Sequence, residues 1–163
     1  MSLGVHYALS TKDEARLLAA AGDDEAVLEI VGEIEEGSYT ELHCDSDKAW
    51  DALHRCLTDG KLEYANGTYP LRAVVLGGRQ LVEEAEYTVS YVSAEQVRDV
   101  AEALAVIEED WLRRRYDTLR DTDYARHVDE DDFEYTWSTL EDLREFFAAA
   151  AEAGRSVIFT VDA

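Results

Sequence analysis

Apolar positions along the chain recur at two spacings, and the switches between them divide the sequence into elements. Val5 to Leu9 is a short apolar segment suited to a first strand. Thr11 and Glu14 then have the spacing of a capping box, and Leu17, Leu18 and Ala21 supply the apolar face of a helix that stops at Gly22. Val27, Leu28, Val31 and Ile34 return at helical spacing for a second helix. Its outer face carries Asp23, Asp24, Glu25, Glu29, Glu33, Glu35 and Glu36 with no basic residue among them, so it depends on packing for its stability. Tyr39 to Cys44 alternates as a half-buried strand does. A central helix follows, with Ser46 as N-cap, Asp47 in the first turn, Gly60 as its αL stop, and Ala49, Trp50, Leu53, Cys56 and Leu57 on one stripe.

Farther along, Asn66-Gly67 between Tyr64 and Tyr69 carries a hairpin signal, although Pro70 confines the second arm to an edge or a loop. Ala73 to Leu76 reads as a short buried strand or core segment ended by Gly77-Gly78, and Tyr87 to Val92 as a further strand. Ser93 and Gln96 form another capping box, opening a helix with Val97, Val100, Ala101, Leu104 and Ile107 inside. The i,i+4 pairs Glu109–Arg113 and Asp110–Arg114 carry that helix toward Tyr116 unless it breaks near Glu108. Asp117 to Asp132 is irregular and highly charged, the stretch best suited to a mobile surface loop. A last helix from Glu134 to Ala153 turns Trp137, Leu140, Leu143 and Phe147 inward and stops at Gly154, ahead of a closing strand from Ser156 to Val161. No repeat or linker divides this order. It predicts an α+β fold, a single compact domain over residues 1–163, with a mixed β-sheet packed with several helices.

Charge changes what such a domain can meet. The 163 residues include 37 Asp and Glu against 15 Lys and Arg, a formal charge of -22. That field repels nucleic acid and anionic membranes, and it attracts basic proteins, small cations and divalent ions. With no membrane-length apolar run and no signal-peptide pattern, the expected location is cytoplasmic, and Met1-Ser2-Leu3 is a candidate cloning remnant ahead of a native start near Gly4. Cys44 and Cys56 are then expected to be free thiols.

The candidate chemistry concentrates between His43 and Gly60, which holds two of the 4 histidines, both cysteines and one of the 3 tryptophans. His54 lies one turn beyond Trp50 at the edge of the apolar stripe, with Asp47 and Asp51 on the same flank. Carboxylates so placed favour imidazolium, and a histidine beside an aromatic wall can donate a proton or anchor a ligand. A histidine at a core boundary can equally donate to a backbone carbonyl. Gly77-Gly78 would allow a ligand to approach closely, but it lacks the glycine, lysine and threonine of a phosphate loop and suits a tight turn. The candidate ligand-binding set is therefore Asp47, Trp50, Asp51, His54, Gly77 and Gly78.

Two sets of residues could be considered metal ligands. Asp47, Asp51 and His54 are what any helix this acidic would contain, while His43, Cys44, His54 and Cys56 place His43 and Cys44 on opposite faces of a strand. No metal and no cofactor are expected. No serine occupies a nucleophile elbow and no catalytic residue is assigned.

Several stretches taken together resemble the YfbM-like family, a bacterial family of unknown function. They are Gly4 to Ser10, Asp47-Lys48-Ala49-Trp50 with Leu53-His54, Ala73 to Gly78, Tyr91-Val92-Ser93, and the ending from Leu143 through Phe147 and Gly154 to Val157-Ile158-Phe159. The resemblance implies a compact α+β fold found in bacteria and no particular activity. The sequence reading that follows is a non-enzymatic acidic binding module for a basic protein partner, for example an immunity protein masking a cationic toxin. The competing reading is a small-molecule or catalytic pocket beside Trp50 and His54, and DNA mimicry is a distant third.

Overall fold

The computed structural model describes residues 2–37, 42–124 and 128–162. Five strands form one sheet: β1 (Gly4–Ala8), β2 (His43–Asp47), β3 (Arg79–Gln80), β4 (Tyr87–Val92) and β5 (Val157–Asp162), in the order β2-β1-β5-β4-β3. The chain's last strand is thus the central one, paired to β1 from Gly4↔Val161 to Ala8↔Val157 and to β4 from Tyr87↔Asp162 to Val92↔Val157. All the pairings are antiparallel, so the expected mixed sheet is corrected to an antiparallel one. The connections explain this. Two helices, α1 (Thr11–Ala20) and α2 (Asp24–Glu36), lie between β1 and β2. One carries the chain back, the next forward again, and the following strand must then run in reverse.

Period-two alternation feeds a core on each side of the sheet. Tyr7, Val89, Tyr91 and Ile158 point to one side, where Leu17 of α1 and Val27, Ile30 and Val31 of α2 cover them. Ala8, Val92, Val157, Phe159 and Val161 point to the other, beneath α3 (Trp50–Leu57), α4 (Ala94–Ala105), α5 (Glu109–Asp117) and α6 (Glu130–Glu152). Because β5 is covered on both faces, it reads as the unbroken apolar run Val157-Ile158-Phe159.

Several boundaries shift for local reasons. Ser10, one residue before the predicted cap, accepts from Asp13 N–H and opens α1. Ser46 is not an N-cap: it lies in β2, and its buried Oγ donates to the Gly4 carbonyl at 2.9 Å. Alternation persists through Asp47, and α3 starts only at Trp50, without a side-chain cap. Of the predicted strand from Tyr39 to Cys44, residues 39–41 lie outside the described residues. The Asn66-Gly67 hairpin does not form. Ala73 belongs to a 3-10 turn, Leu71–Ala73, that leads into the buried segment Val74-Val75-Leu76. The long helix does break near Glu108, giving α4 and α5, and Arg113 pairs with Glu130 of α6 through both its terminal nitrogens at 2.8 Å. Capped by Asp129, α6 starts at Glu130, four residues ahead of the predicted start, and Leu119 and Tyr124 are buried within the stretch read as a surface loop.

Candidate functional site

His54 faces inward from α3 with 1% of its surface exposed. Its Nε2 lies 2.7 Å from the Glu63 carbonyl and 2.9 Å from Asn66 Oδ1, while Leu76 N–H approaches Nδ1 at 3.4 Å. Two acceptors on one nitrogen and a donor on the other define the neutral Nε2–H tautomer. Burial holds the His54 pKa below the usual histidine value, against the opposing pull of Asn66, Glu63 and Asp51. The expected imidazolium is therefore corrected: desolvation outweighs the nearby carboxylates. Asn66, also buried, completes the arrangement. Its Nδ2 lies within bonding distance of Thr58 Oγ1, Asp59 Oδ1 and the Lys61 carbonyl, so the chain from 58 to 66 wraps around one amide.

The other candidate residues point elsewhere. Asp51 accepts from Arg55 Nε at 2.6 Å, and Arg55 reaches on to the Gly60 carbonyl and to Asp123. Asp47, at φ 45°, accepts from the Tyr135 hydroxyl, whose oxygen accepts in turn from Lys48 N–H. Trp50 donates from Nε1 to the Ser2 carbonyl at 3.0 Å and packs against Phe159. At Gly77 an added Cβ would sit 2.1 Å from the Arg72 carbonyl oxygen, and at Gly78 2.5 Å from that of Tyr91. The close approach that these glycines permit is that of the protein's own backbone. None of the six residues lines any of five cavities formed by the described residues. Cys44 and Cys56 are buried free thiols whose pKa values burial pushes up to about 12, which leaves them in the weakly reactive protonated form. Among the described residues no three His, Cys, Asp or Glu side chains gather in a way that could hold a metal ion, and no helix is long and apolar enough to cross a membrane.

Two surface features stand out instead. The first is acidic. The Asp24 carboxylate accepts the backbone N–H groups of Glu83, Glu84 and Ala85 at 2.8 to 2.9 Å, which lowers its pKa and draws the 83–86 loop onto the start of α2. Glu83, Glu84 and Glu86 are thereby added to Glu25 and Glu29. All five are exposed, and none has an ion-pair partner among the described residues. The Asp129-to-Asp132 run is less available: Asp129 caps α6, Glu130 pairs with Arg113, and buried Asp132 accepts from the Tyr116 and Tyr124 hydroxyls.

The second feature is a cleft of about 570 Å³ on the far side of the sheet, between residues 68–71 and the elbow that joins α4 to α5. Tyr69, Val106 and Trp111 supply apolar surface there, and Glu108, Asp110 and Arg114 its charges. The sequence offered only indirect signals for it, namely Pro70 and the helix break at Glu108. Its two walls lie more than thirty residues apart in the chain.

A family model described as a domain of unknown function, DUF1877, matches residues 1–160. The chain belongs to this family. Among solved structures, that of YfbM, a protein of unknown function from Escherichia coli, aligns with a TM-score of 0.71 at 16% identity, over 98% of this chain and 99% of that one. The YfbM-like resemblance read from the sequence is therefore shown, and at this identity the structural likeness is one of fold. No curated protein matches the chain.

Proposed function

We propose that this DUF1877 member is a non-enzymatic interaction module of the bacterial cytoplasm whose partner is a basic protein surface. The observation that carries the reading is the acidic face built by α2 and the 83–86 loop. There a carboxylate, Asp24, is used to hold glutamates beside other glutamates. Assembling like charges opposes folding, and a cationic partner removes that opposition on binding. The charge of -22 adds long-range steering toward such a partner. Two buried, protonated thiols fit a reducing compartment. The pocket reading beside Trp50 and His54 draws no comparable support, because the hydrogen-bonding nitrogens of both side chains are engaged within the protein.

The test is affinity capture from the native host at low and moderate salt with two baits, the wild type and a variant with Glu25, Glu29, Glu83, Glu84 and Glu86 changed to Gln. A basic protein retained by the wild type at low salt, released by moderate salt and missed by the variant supports the reading. Equal recovery by both baits, or no salt-sensitive protein at all, overturns it.

A further inference from the structure

The cleft at the α4–α5 elbow takes no part in the acidic face. Four large hydrophobic residues are exposed among the described residues, Leu3, Tyr64, Tyr69 and Val106. Two of them, Tyr69 and Val106, sit together in this cleft, and Val106 is 78% exposed. With half-buried Trp111 they make an uncovered apolar patch, in contrast to the scattered single side chains that are normal on a surface.

The charged groups around the patch are equally unused. Arg113, Arg115 and Arg144 are each committed to a carboxylate or to backbone carbonyls. Arg114 makes neither a hydrogen bond nor an ion pair among the described residues, although Asp110 lies one turn away on the same helix. The side chains of Glu108 and Asp110 are also without such partners there. Three unpaired charges around an apolar floor present donors and acceptors to something outside the chain.

We infer that this cleft docks a segment of a partner protein in which one apolar side chain is flanked by Lys or Arg. The apolar anchor packs against Tyr69, Val106 and Trp111. The flanking cation meets Glu108 and Asp110, and Arg114 donates to a backbone carbonyl of the segment. Charge selects the flank: two carboxylates face one guanidinium locally, within a molecule of net charge -22. The volume is in the range that takes a small ligand or one to two side chains. The inference rests on the basic-partner reading for the nature of the partner and adds an apolar anchor point on the opposite side of the sheet.

The experiment is an amide-shift titration of the full chain by NMR with three blocked tetrapeptides, Arg-Leu-Phe-Arg, Glu-Leu-Phe-Glu and Arg-Ser-Ser-Arg. The first is expected to shift amides of residues 69, 71 and 103–114 in a saturable way, and the other two to leave them unmoved. Val106→Ser removes an exposed methyl pair without touching the core, and it should weaken the first peptide about tenfold. Glu108→Gln with Asp110→Asn should weaken it about fivefold. Overturning results are no cleft shifts with Arg-Leu-Phe-Arg, equal shifts with Glu-Leu-Phe-Glu, or indifference to Val106→Ser. Arg-Leu-Phe-Arg shifts confined to α2 and the 83–86 loop, with a silent cleft, overturn this inference and leave the acidic-face reading standing. Cleft shifts together with failed capture do the reverse.

Discussion

His6 shows how a single residue can set a pH limit on the fold. It is fully buried against Phe146, Phe147 and Phe159, with Nε2 2.7 Å from the Val74 carbonyl and Nδ1 lacking a hydrogen-bond partner among the described residues. Burial lowers its pKa to about 4, and the bond to Val74 opposes only part of that. The unfolded chain therefore takes up a proton near pH 6.5, while the folded one stays neutral down to about 4. The contribution is complete above the unfolded value and is lost as the pH falls through this window. Its size is about 3 kcal/mol at most. Urea unfolding of the wild type and of His6→Leu between these limits should show the wild type losing about that much relative to the variant, whereas parallel curves would refute the assignment. His54 acts in the same direction, because burial lowers its pKa as well.

The glycines make a second contrast at this scale. Gly77→Ala and Gly78→Ala would drive a Cβ into backbone carbonyl oxygens, and each should cost at least about 2 kcal/mol in denaturant. Gly32 lies inside α2 with nothing within 4 Å of an added Cβ, so Gly32→Ala should gain up to about 1 kcal/mol. A gain at Gly77 would mean that the turn is not held by its neighbours.

Among elements, those encoded by contiguous residues were readable and those closed by distant partners were not. The Ser93–Gln96 capping box forms as its spacing implies, with both reciprocal bonds made, because every atom involved lies within one turn. Asn66-Gly67 has the local signature of a hairpin, yet the Asn66 amide is drawn inward to Thr58, Asp59, Lys61 and His54, and tertiary satisfaction of these buried groups overrides turn propensity. For the same reason His54 and Asp51, plausible as a reactive flank on a helical wheel, separate into a buried clasp and an ion pair with Arg55. That clasp can be tested as a unit. Asn66→Ala leaves His54 one acceptor and takes the Asn66 donor from Thr58 Oγ1, which keeps its own bond to the His54 carbonyl, and from the Lys61 carbonyl, so it should destabilise by about 2 kcal/mol. Hydrogen exchange should quicken from 58 to 66 and at Leu76 and leave β5 unchanged until global unfolding. Uniform loss of protection would show that the segment is not a separate local unit.

For the molecule as a whole, the arrangement of arginines sharpens what the charge count could only suggest. Arg115 donates to the carbonyls of Cys56 and Thr58 at the end of α3, and Arg144 to those of Leu104 and Ile107 at the α4–α5 elbow. These cations satisfy carbonyls at helix ends and pair with no carboxylate among the described residues. The cleft, and the addition of the 83–86 loop to the acidic face of α2, were out of reach of sequence reading for a related reason, since each is assembled from segments that meet only in the folded chain. Net self-repulsion should therefore dominate the response to salt. Raising the ionic strength from about 0.01 M to about 0.1 M shortens the screening length from about 30 Å to about 10 Å, comparable to the spacing of charges across such a surface. Screening also weakens the exposed Arg16–Glu33 and Arg113–Glu130 pairs, but isolated surface pairs contribute little. The melting temperature should thus rise with salt by several degrees, on the order of 1 kcal/mol of stability. Changing Glu83, Glu84 and Glu86 to Gln should raise the low-salt melting temperature and flatten its salt dependence, while Asp24 still anchors the loop through backbone N–H groups that the substitutions leave in place. A melting temperature that falls with added salt, or a triple variant with the wild-type salt slope, would mean that these glutamates do not repel one another enough for a cationic partner to gain by covering them.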